Sequence, residues 1–235
     1  KLGDLLAQPE SALLGGSARH PAIAAFVEVA PLDDHHIVVV SEHRPGRLLS
    51  HVMARPDLSW QDAVELGRAI AMALSRAHAA SICHLGLDPY RISIGTVRNG
   101  LSVYGLGLAS AWQAAGGSLS RLAQIAARPA YRAPECTAEL LGTSSADVYA
   151  LGVMLFEMIA KLHPVVARVD EEGKSAARVL LETQPSLDPS CADLVRAMLS
   201  SEPGERPAMH EVAALLARLS AAHGIAGEAI ICARL

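Results

Sequence analysis

The sequence predicts an α+β fold that is mostly α-helical, and two patterns carry this prediction. Residues Val148–Met158 are apolar almost all round, with Glu157 as the only charge, which indicates a helix buried within a core. Two short pairs of runs rich in Val and Ile, within residues 23–41 and 92–103, flank turn residues and predict β-hairpins. Hydrophobic residues make up 51% of the 235 residues, which is enough for a globular core.

Composition excludes several classes of function. A net charge of −4 offers no basic footprint for nucleic acid or an anionic membrane. No apolar run is long enough to insert into a bilayer, and no signal peptide is recognisable. The four cysteines lack the paired spacing of a zinc site, so we expect no metal or other cofactor and a reduced, cytoplasmic location.

The N-terminal part predicts helix followed by a hairpin. Helical stretches end at Gly15-Gly16, and strands are expected at Ile23–Val29 and His36–Ser41 around a turn at Pro31–Asp34. An isolated hairpin is marginal in water, and its free edges invite pairing with another chain segment.

Helices dominate the remainder of the chain. A short helix is expected over Arg47–Ala54, and Ser59 is expected to cap a long one with apolar residues at three- and four-residue spacing. Strands at Ile92–Ile94 and Leu101–Val103 flank the turn Asn99-Gly100. Further helices are predicted over Ser120–Ala127, Val148–Met158, Lys174–Glu182, Cys191–Leu199 and Ala208–Ser220, and a strand over Glu228–Cys232.

An Ala133-Pro134-Glu135 turn precedes the central helix, which we expect to be capped by Ser144 or Ser145, with Asp147 in its first turn. This pair of features resembles the C-terminal lobe of the protein kinase family, in particular the bacterial-type serine/threonine kinases. The resemblance covers nearly the whole chain. It implies a reduced N-lobe with a helix and a β-hairpin over residues 1–44, a helical C-lobe over residues 45–225, and a strand or tail over residues 226–235.

Other positions fit the same family. His20-Pro21 matches a pair that often precedes the family's fourth strand, and Ser41–Arg44 matches the hinge. Arg206 stands where the family has an arginine that pairs with the glutamate of Ala-Pro-Glu. The resemblance therefore implies a partly buried Glu135–Arg206 ion pair, and breaking such a pair costs roughly 3–5 kcal/mol.

The residues of phosphoryl transfer do not follow the family. Transfer uses a lysine, two metal ligands and a catalytic aspartate. The family's catalytic loop maps to His84–Arg91, with Gly86 at the catalytic aspartate and Arg91 at the metal-binding asparagine, and Gly105 replaces the second metal ligand. The glycine-rich loop and the lysine strand would precede Lys1. The resemblance thus implies a pseudokinase with no catalytic, cofactor-binding or metal residues, and not an enzyme.

Alternative roles remain open for four residues of this region. Asp88 could serve as a displaced base, although a carboxylate before proline is more often a turn former. His84 could be a base, but a core histidine fits better. Ser93 replaces an apolar residue expected under the adenine ring, and Tyr104 could fill the cleft, while an apolar slot could still bind a nucleotide.

The favoured functional hypothesis is a protein-binding or regulatory module within a larger protein. Its partner would be another protein, a neighbouring domain of the same protein, or a second copy joined through the hairpin edge. The alternative hypothesis is a kinase-fold enzyme with altered nucleotide or phosphoryl-transfer chemistry. Stabilisation by ATP and magnesium would favour the alternative.

Overall fold

The computed structural model describes residues 20–31, 37–95, 100–108, 128–137, 142–167, 169, 173, 175–227, 231 and 234. The structure is mostly helical with small sheets. In chain order the strands and helices are β1 (Phe26–Pro31), β2 (Ile37–Ser41), β3 (Gly46–Leu48), α1 (Leu49–Met53), α2 (Trp60–Ala79), β4 (Ile92–Gly95), β5 (Leu101–Val103), α3 (Ser144–Ala160), α4 (Ala176–Thr183), α5 (Pro189–Met198) and α6 (Met209–Ala222).

The predicted N-terminal hairpin is confirmed. Strands β1 and β2 pair antiparallel, from Phe26 opposite Ser41 to Pro31 opposite Ile37. β1 begins later than expected because Ile23 forms an isolated parallel bridge with Val103 of β5 instead. The helical stretches and the turn expected before and within this hairpin lie outside the described residues.

A second sheet contains one strand that the sequence pattern missed. Its order is β3-β4-β5, all antiparallel, and β4 and β5 form the predicted hairpin. The helix expected from Arg47 is wrong at its start, because Arg47 pairs with Ile94 in β3 and the helix begins at Leu49. Gly46 enables this pairing, since a Cβ at that position would lie 2.5 Å from Ser93 Oγ.

The long helix α2 is capped by Ser59 as predicted, and Ser59 forms a capping box with Asp62. The Asp62 amide donates to Ser59 Oγ at 3.1 Å, and the Ser59 amide donates to Asp62 Oδ2 at 2.9 Å. This reciprocal pair satisfies two otherwise unpaired N–H groups at the helix start. The Arg234 guanidinium also contacts the Asp62 carboxylate.

The central helix α3 is buried as predicted, but its cap differs. The capping residue is Thr143, whose Oγ1 accepts from the Ser145 amide at 3.4 Å, and neither Ser144 nor Ser145. Two glycines allow close packing around α3. A Cβ at Gly67 of α2 would lie 2.6 Å from Leu155 Cδ2, and one at Gly152 would lie 2.8 Å from Met198 Cβ on α5.

The last three helices agree with the sequence prediction to within two residues at each end. The exception at the C-terminus is the strand expected over Glu228–Cys232. Ile231 lies in a helical turn and is buried in the core, and its amide bonds to the Gly227 carbonyl at 3.2 Å. The helix predicted over Ser120–Ala127 lies outside the described part of the chain.

Candidate functional site

Asp147 in the first turn of α3 fixes the loop that carries the candidate site. Its carboxylate is 1% exposed and accepts from the amides of His84 and Leu85, both at 2.7 Å. Nε2 of His78 lies 2.9 Å from the same carboxylate. These contacts hold Leu85 in a left-handed conformation, at φ 56°, which is uncommon for a side chain of this kind. Asp147 therefore positions the loop in addition to suiting the helix dipole.

His84 is a core residue in this structure. The side chain is 2% exposed, and its Nε2 donates to the Tyr104 carbonyl at 3.0 Å. Burial lowers the pKa of the imidazole, although the Asp147 charge acts in the opposite direction. A neutral, buried imidazole that binds a carbonyl connects the loop to the end of β5, where Leu106 is also buried.

Arg91 and Gly105, two of the positions that differ from the family pattern, lie side by side. A Cβ at Gly105 would stand 2.9 Å from Arg91 Nη1. Gly105 also has φ 83°, a conformation that suits glycine. The guanidinium therefore occupies the space where a side chain at position 105 would begin, and the two replacements accommodate each other. Gly86, the third altered position, is buried in the loop.

Asp88 supplies a carboxylate beside Arg91. It is 4% exposed, its Oδ1 accepts from the Tyr90 amide at 2.8 Å, and its Oδ2 lies 4.0 Å from Arg91 Nε. The Arg91 amide donates to the Asp88 carbonyl at 3.1 Å. The carboxylate thus performs the turn-forming role expected before Pro89 and also orients the neighbouring cation.

Tyr104, directly after β5, contacts the segment Ser41–Arg44 that matches the hinge. The Tyr104 hydroxyl accepts from the Arg44 amide at 3.1 Å and donates to the Arg44 carbonyl at 3.2 Å. Ser93 on β4 is 5% exposed, and its hydroxyl has no hydrogen-bond partner among the described residues. The contact between Tyr104 and the hinge agrees with the suggestion that this side chain fills the cleft.

The expected ion pair at the Ala-Pro-Glu turn is confirmed. Arg206 bonds both carboxylate oxygens of Glu135, at 2.7 and 2.8 Å, and its side chain is 0% exposed. It also donates to the Ser200 and Ser145 carbonyls at 2.7 and 3.1 Å, and its guanidinium lies over the Tyr149 ring. A bidentate pair with further carbonyl acceptors satisfies the buried guanidinium.

A small cleft beside the loop was not anticipated from the sequence. Its volume is about 190 Å³, and Met53, Tyr90, Tyr131 and Lys161 are among its lining residues. The Tyr131 hydroxyl donates to Glu157 Oε2 at 2.7 Å. Burial, with the adjacent Glu157 carboxylate, raises the pKa of Tyr131, so its phenol stays protonated. The available signal in the sequence was Glu157, the only charge in the apolar run Val148–Met158.

One cluster has the ligand types of a metal site. Donor atoms of His78, Cys83 and Asp147 lie within 4.8 Å of one another. However, Asp147 already binds two amides and His78, and burial beside Asp147 raises the pKa of the Cys83 thiol to about 11. A protonated thiol is a poor ligand. The arrangement of these three side chains therefore fits a role of Asp147 in anchoring the loop better than it fits a metal site.

Comparison with known proteins identifies the family. The family model described as "protein kinase domain" matches residues 6–215. Similar proteins include the serine/threonine-protein kinases PrkC of Bacillus subtilis, 26% identical over 74% of this chain, and pkn3 of Myxococcus xanthus, 26% identical over 82%. The serine/threonine-protein kinase ULK3 of Xenopus laevis is 25% identical over 81% of the chain. The matches cover 26%, 38% and 41% of these proteins, so the chain spans less than half their length.

These relatives correct the expectation that the chain is not an enzyme. Proteins named as serine/threonine kinases align with most of the chain, which points to an enzyme. Within the described residues, no helix is long and apolar enough to cross a membrane. Together with the Ala-Pro-Glu turn, its arginine partner and the buried central helix, the matched region shows that the chain belongs to the protein kinase domain family.

Proposed function

We propose that the chain is the kinase-fold part of a longer enzyme and transfers a phosphoryl group by altered chemistry. In this proposal the Arg91 guanidinium supplies the positive charge that the family obtains from bound magnesium. The acceptor class is a protein hydroxyl, by analogy with the relatives named serine/threonine kinases. The single observation that carries the proposal is the position of Arg91 against Gly105.

The chemistry of phosphoryl transfer is compatible with a guanidinium in place of magnesium. The transition state is loose and spreads negative charge over the phosphoryl oxygens, so the protein mainly positions groups and supplies positive charge. The bond between the γ-phosphorus and the bridging oxygen breaks, and the electron pair leaves with the diphosphate. The acceptor oxygen forms the new bond, and its proton passes to water. A planar guanidinium can bind two phosphate oxygens at once.

Asp88 is the positioning residue for this cation. Its carboxylate is almost fully buried and lies 4.0 Å from Arg91 Nε, so it favours one orientation of the side chain. The Arg91 side chain is itself 28% exposed, so part of it is accessible to solvent. The buried Asp88 carboxylate therefore lies near Nε of Arg91, while Nη1 of the same guanidinium lies beside Gly105.

The test is phosphoryl transfer from γ-labelled ATP to the full-length protein and to a mixture of serine- and threonine-containing peptides. We expect incorporation that continues with EDTA present and falls at least tenfold in Arg91→Gln. Arg178→Gln, which removes an exposed arginine on α4, is the matched control and should leave incorporation unchanged. Incorporation that EDTA abolishes and Arg91→Gln leaves intact would refute the proposal, as would the absence of any incorporation.

We also propose a protein-binding surface on the N-terminal hairpin. Among the described residues, β1 and β2 form a sheet of only two strands, and Val38 and Val40 are 39% and 41% exposed. Exposed strand edges with apolar side chains favour pairing. The partner would be another protein, a neighbouring domain or a second copy. A monomeric mass by light scattering, with rapid amide exchange along both hairpin edges of the full-length protein, would contradict this proposal.

A further inference from the structure

Tyr104 connects the end of β5 to the hinge across the cleft. Its hydroxyl makes two hydrogen bonds to one residue, accepting from the Arg44 amide at 3.1 Å and donating to the Arg44 carbonyl at 3.2 Å. The two residues are separated by 60 positions in the chain, so the contact closes a long loop between the strands and the hinge. The Tyr104 hydroxyl thus occupies the hydrogen-bonding positions of the Arg44 amide and carbonyl that a bound ligand would otherwise use.

The hinge residue is itself held firmly. The Arg44 guanidinium donates to the carbonyls of Pro21 and Ile23 and pairs with Glu42 at 2.8 Å. The Ala24 amide in turn donates to the Val103 carbonyl at 2.9 Å, next to Tyr104. The Arg44 amide and carbonyl are therefore held in place by these contacts, and the Tyr104 hydroxyl bonds to both of them.

We propose that Tyr104 occupies the base site of the nucleotide and that nucleotide binding competes with this side chain. The amide and carbonyl of one residue match a heterocycle that carries an acceptor next to a donor, as the N1 and amino group of adenine do. The phenol hydroxyl satisfies the same two groups with one atom. This inference rests on the proposed nucleotide chemistry and adds the residue that controls access to it.

The backbone of Tyr104 allows the side chain to leave without unfolding the site. The Tyr104 amide donates to the Arg91 carbonyl at 2.8 Å, and its carbonyl accepts from His84 Nε2 at 3.0 Å. Rotation about the side-chain bonds breaks the two hydrogen bonds to Arg44 and leaves these backbone hydrogen bonds in place. The amide bond to the Arg91 carbonyl also links Tyr104 to the residue that carries the proposed phosphate site.

The test is titration of the full chain with adenosine, measured by calorimetry in the presence of EDTA. Adenosine lacks phosphates, so its binding is independent of Arg91 and separates this proposal from the proposed transfer chemistry. We expect Tyr104→Ala to bind adenosine at least tenfold more tightly than the wild type. Val165→Ala truncates an apolar side chain that is 76% exposed and is the control, with an unchanged affinity.

Equal adenosine affinity in the wild type and a cooperatively folded Tyr104→Ala variant would overturn the proposal. Tyr104→Phe provides a second measurement should the alanine variant fold poorly. It keeps the ring and removes only the hydroxyl, so exchange of the Arg44 amide should accelerate at least severalfold by hydrogen exchange. An unchanged exchange rate in Tyr104→Phe would show that the hydroxyl does not hold the hinge, and would equally overturn the proposal.

Discussion

The buried scaffold of this domain and its cleft treat polar groups in different ways. In the scaffold, Asp147 meets three donors and Arg206 meets both oxygens of Glu135, and all of these partners are far apart in sequence. In the cleft, the Ser93 hydroxyl is buried without a partner among the described residues, and Arg91 fills space left by a glycine. The buried charges of the scaffold are held by several partners each, whereas the cleft contains different residues at the family's catalytic positions.

The difference shows which residues the fold depends on. A buried charge with several partners cannot change alone, because each partner would lose its hydrogen bond. A residue that faces a cleft has fewer hydrogen-bond partners in the core. It can therefore be replaced without loss of the fold, and its identity depends on the chemistry of the site. A kinase architecture with altered catalytic positions is the expected result, and the following predictions test the two halves of this comparison.

The largest effect is expected for Glu135→Gln. This change keeps the size of the side chain but leaves the fully buried Arg206 guanidinium without its counter-charge, so the free energy of unfolding should fall by roughly 3–5 kcal/mol. Chemical denaturation measures it. Glu182→Gln, which breaks an exposed pair with Arg178, is the control and should cost less than about 0.5 kcal/mol. Equal losses in the two variants would contradict the distinction.

Asp147→Asn should have the next largest effect. The amide group replaces one acceptor oxygen with a donor and turns it towards backbone N–H groups, so we expect a loss of about 2 kcal/mol. Faster hydrogen exchange at the amides of His84 and Leu85 should accompany the loss. Asp193→Asn, at an exposed carboxylate on α5, should change neither quantity. Unchanged exchange at both amides would show that Asp147 does not hold the loop.

Gly152→Ala tests the packing of the central helix. The added methyl group would lie 2.8 Å from Met198 Cβ, and overpacking of this kind costs about 1–3 kcal/mol. Gly204→Ala has no neighbour within 4 Å of the new Cβ and is the control, with a change near zero or a small gain. Thermal unfolding of both variants measures the difference. A melting temperature for Gly152→Ala at or above the wild-type value would disprove close packing here.

The smallest effect concerns a pH-dependent pair near the C-terminus. A hydrogen bond from His223 lowers the pKa of Asp188 below its ordinary value of 3.8. Because the folded-state pKa is depressed, the stabilisation is present above pH 3.8 and is lost as the pH falls through the folded value. Asp188→Asn retains the cap of α5, so the stability difference from wild type should be below about 1 kcal/mol at pH 5. That difference should vanish in strong acid, and a difference that grows with acidity would reverse the assigned sign.

Much of the scaffold could be predicted from the sequence. The apolar run of α3 and the capping box at Ser59 depend on local patterns, and the Glu135–Arg206 pair follows from a motif. The strand β3 was missed because Gly46 and Arg47 carry no strand pattern and their pairing is set by contacts with β4. Tertiary contact overrode local preference at that point.

The cleft was less predictable because its chemistry depends on distances between segments. Sequence alone placed Arg91 and Gly105 at metal-ligand positions, but the adjacency that makes them compensate each other appears only in three dimensions. The expectation of an inactive domain rested on the joint loss of the lysine, both metal ligands and the catalytic aspartate. Similarly, the role of Tyr104 required the position of Arg44, which no local pattern specifies.

The most direct test of the account is titration of the full chain with inorganic tripolyphosphate in EDTA. This probe has no base, so Tyr104 does not compete with it, and no metal is available to neutralise its charge. The account predicts saturable binding by the wild type that weakens at least tenfold, about 1.4 kcal/mol, in Arg91→Gln and is unchanged in Arg178→Gln. Binding of equal strength in the wild type and Arg91→Gln, or binding that appears only when magnesium is added, would contradict it.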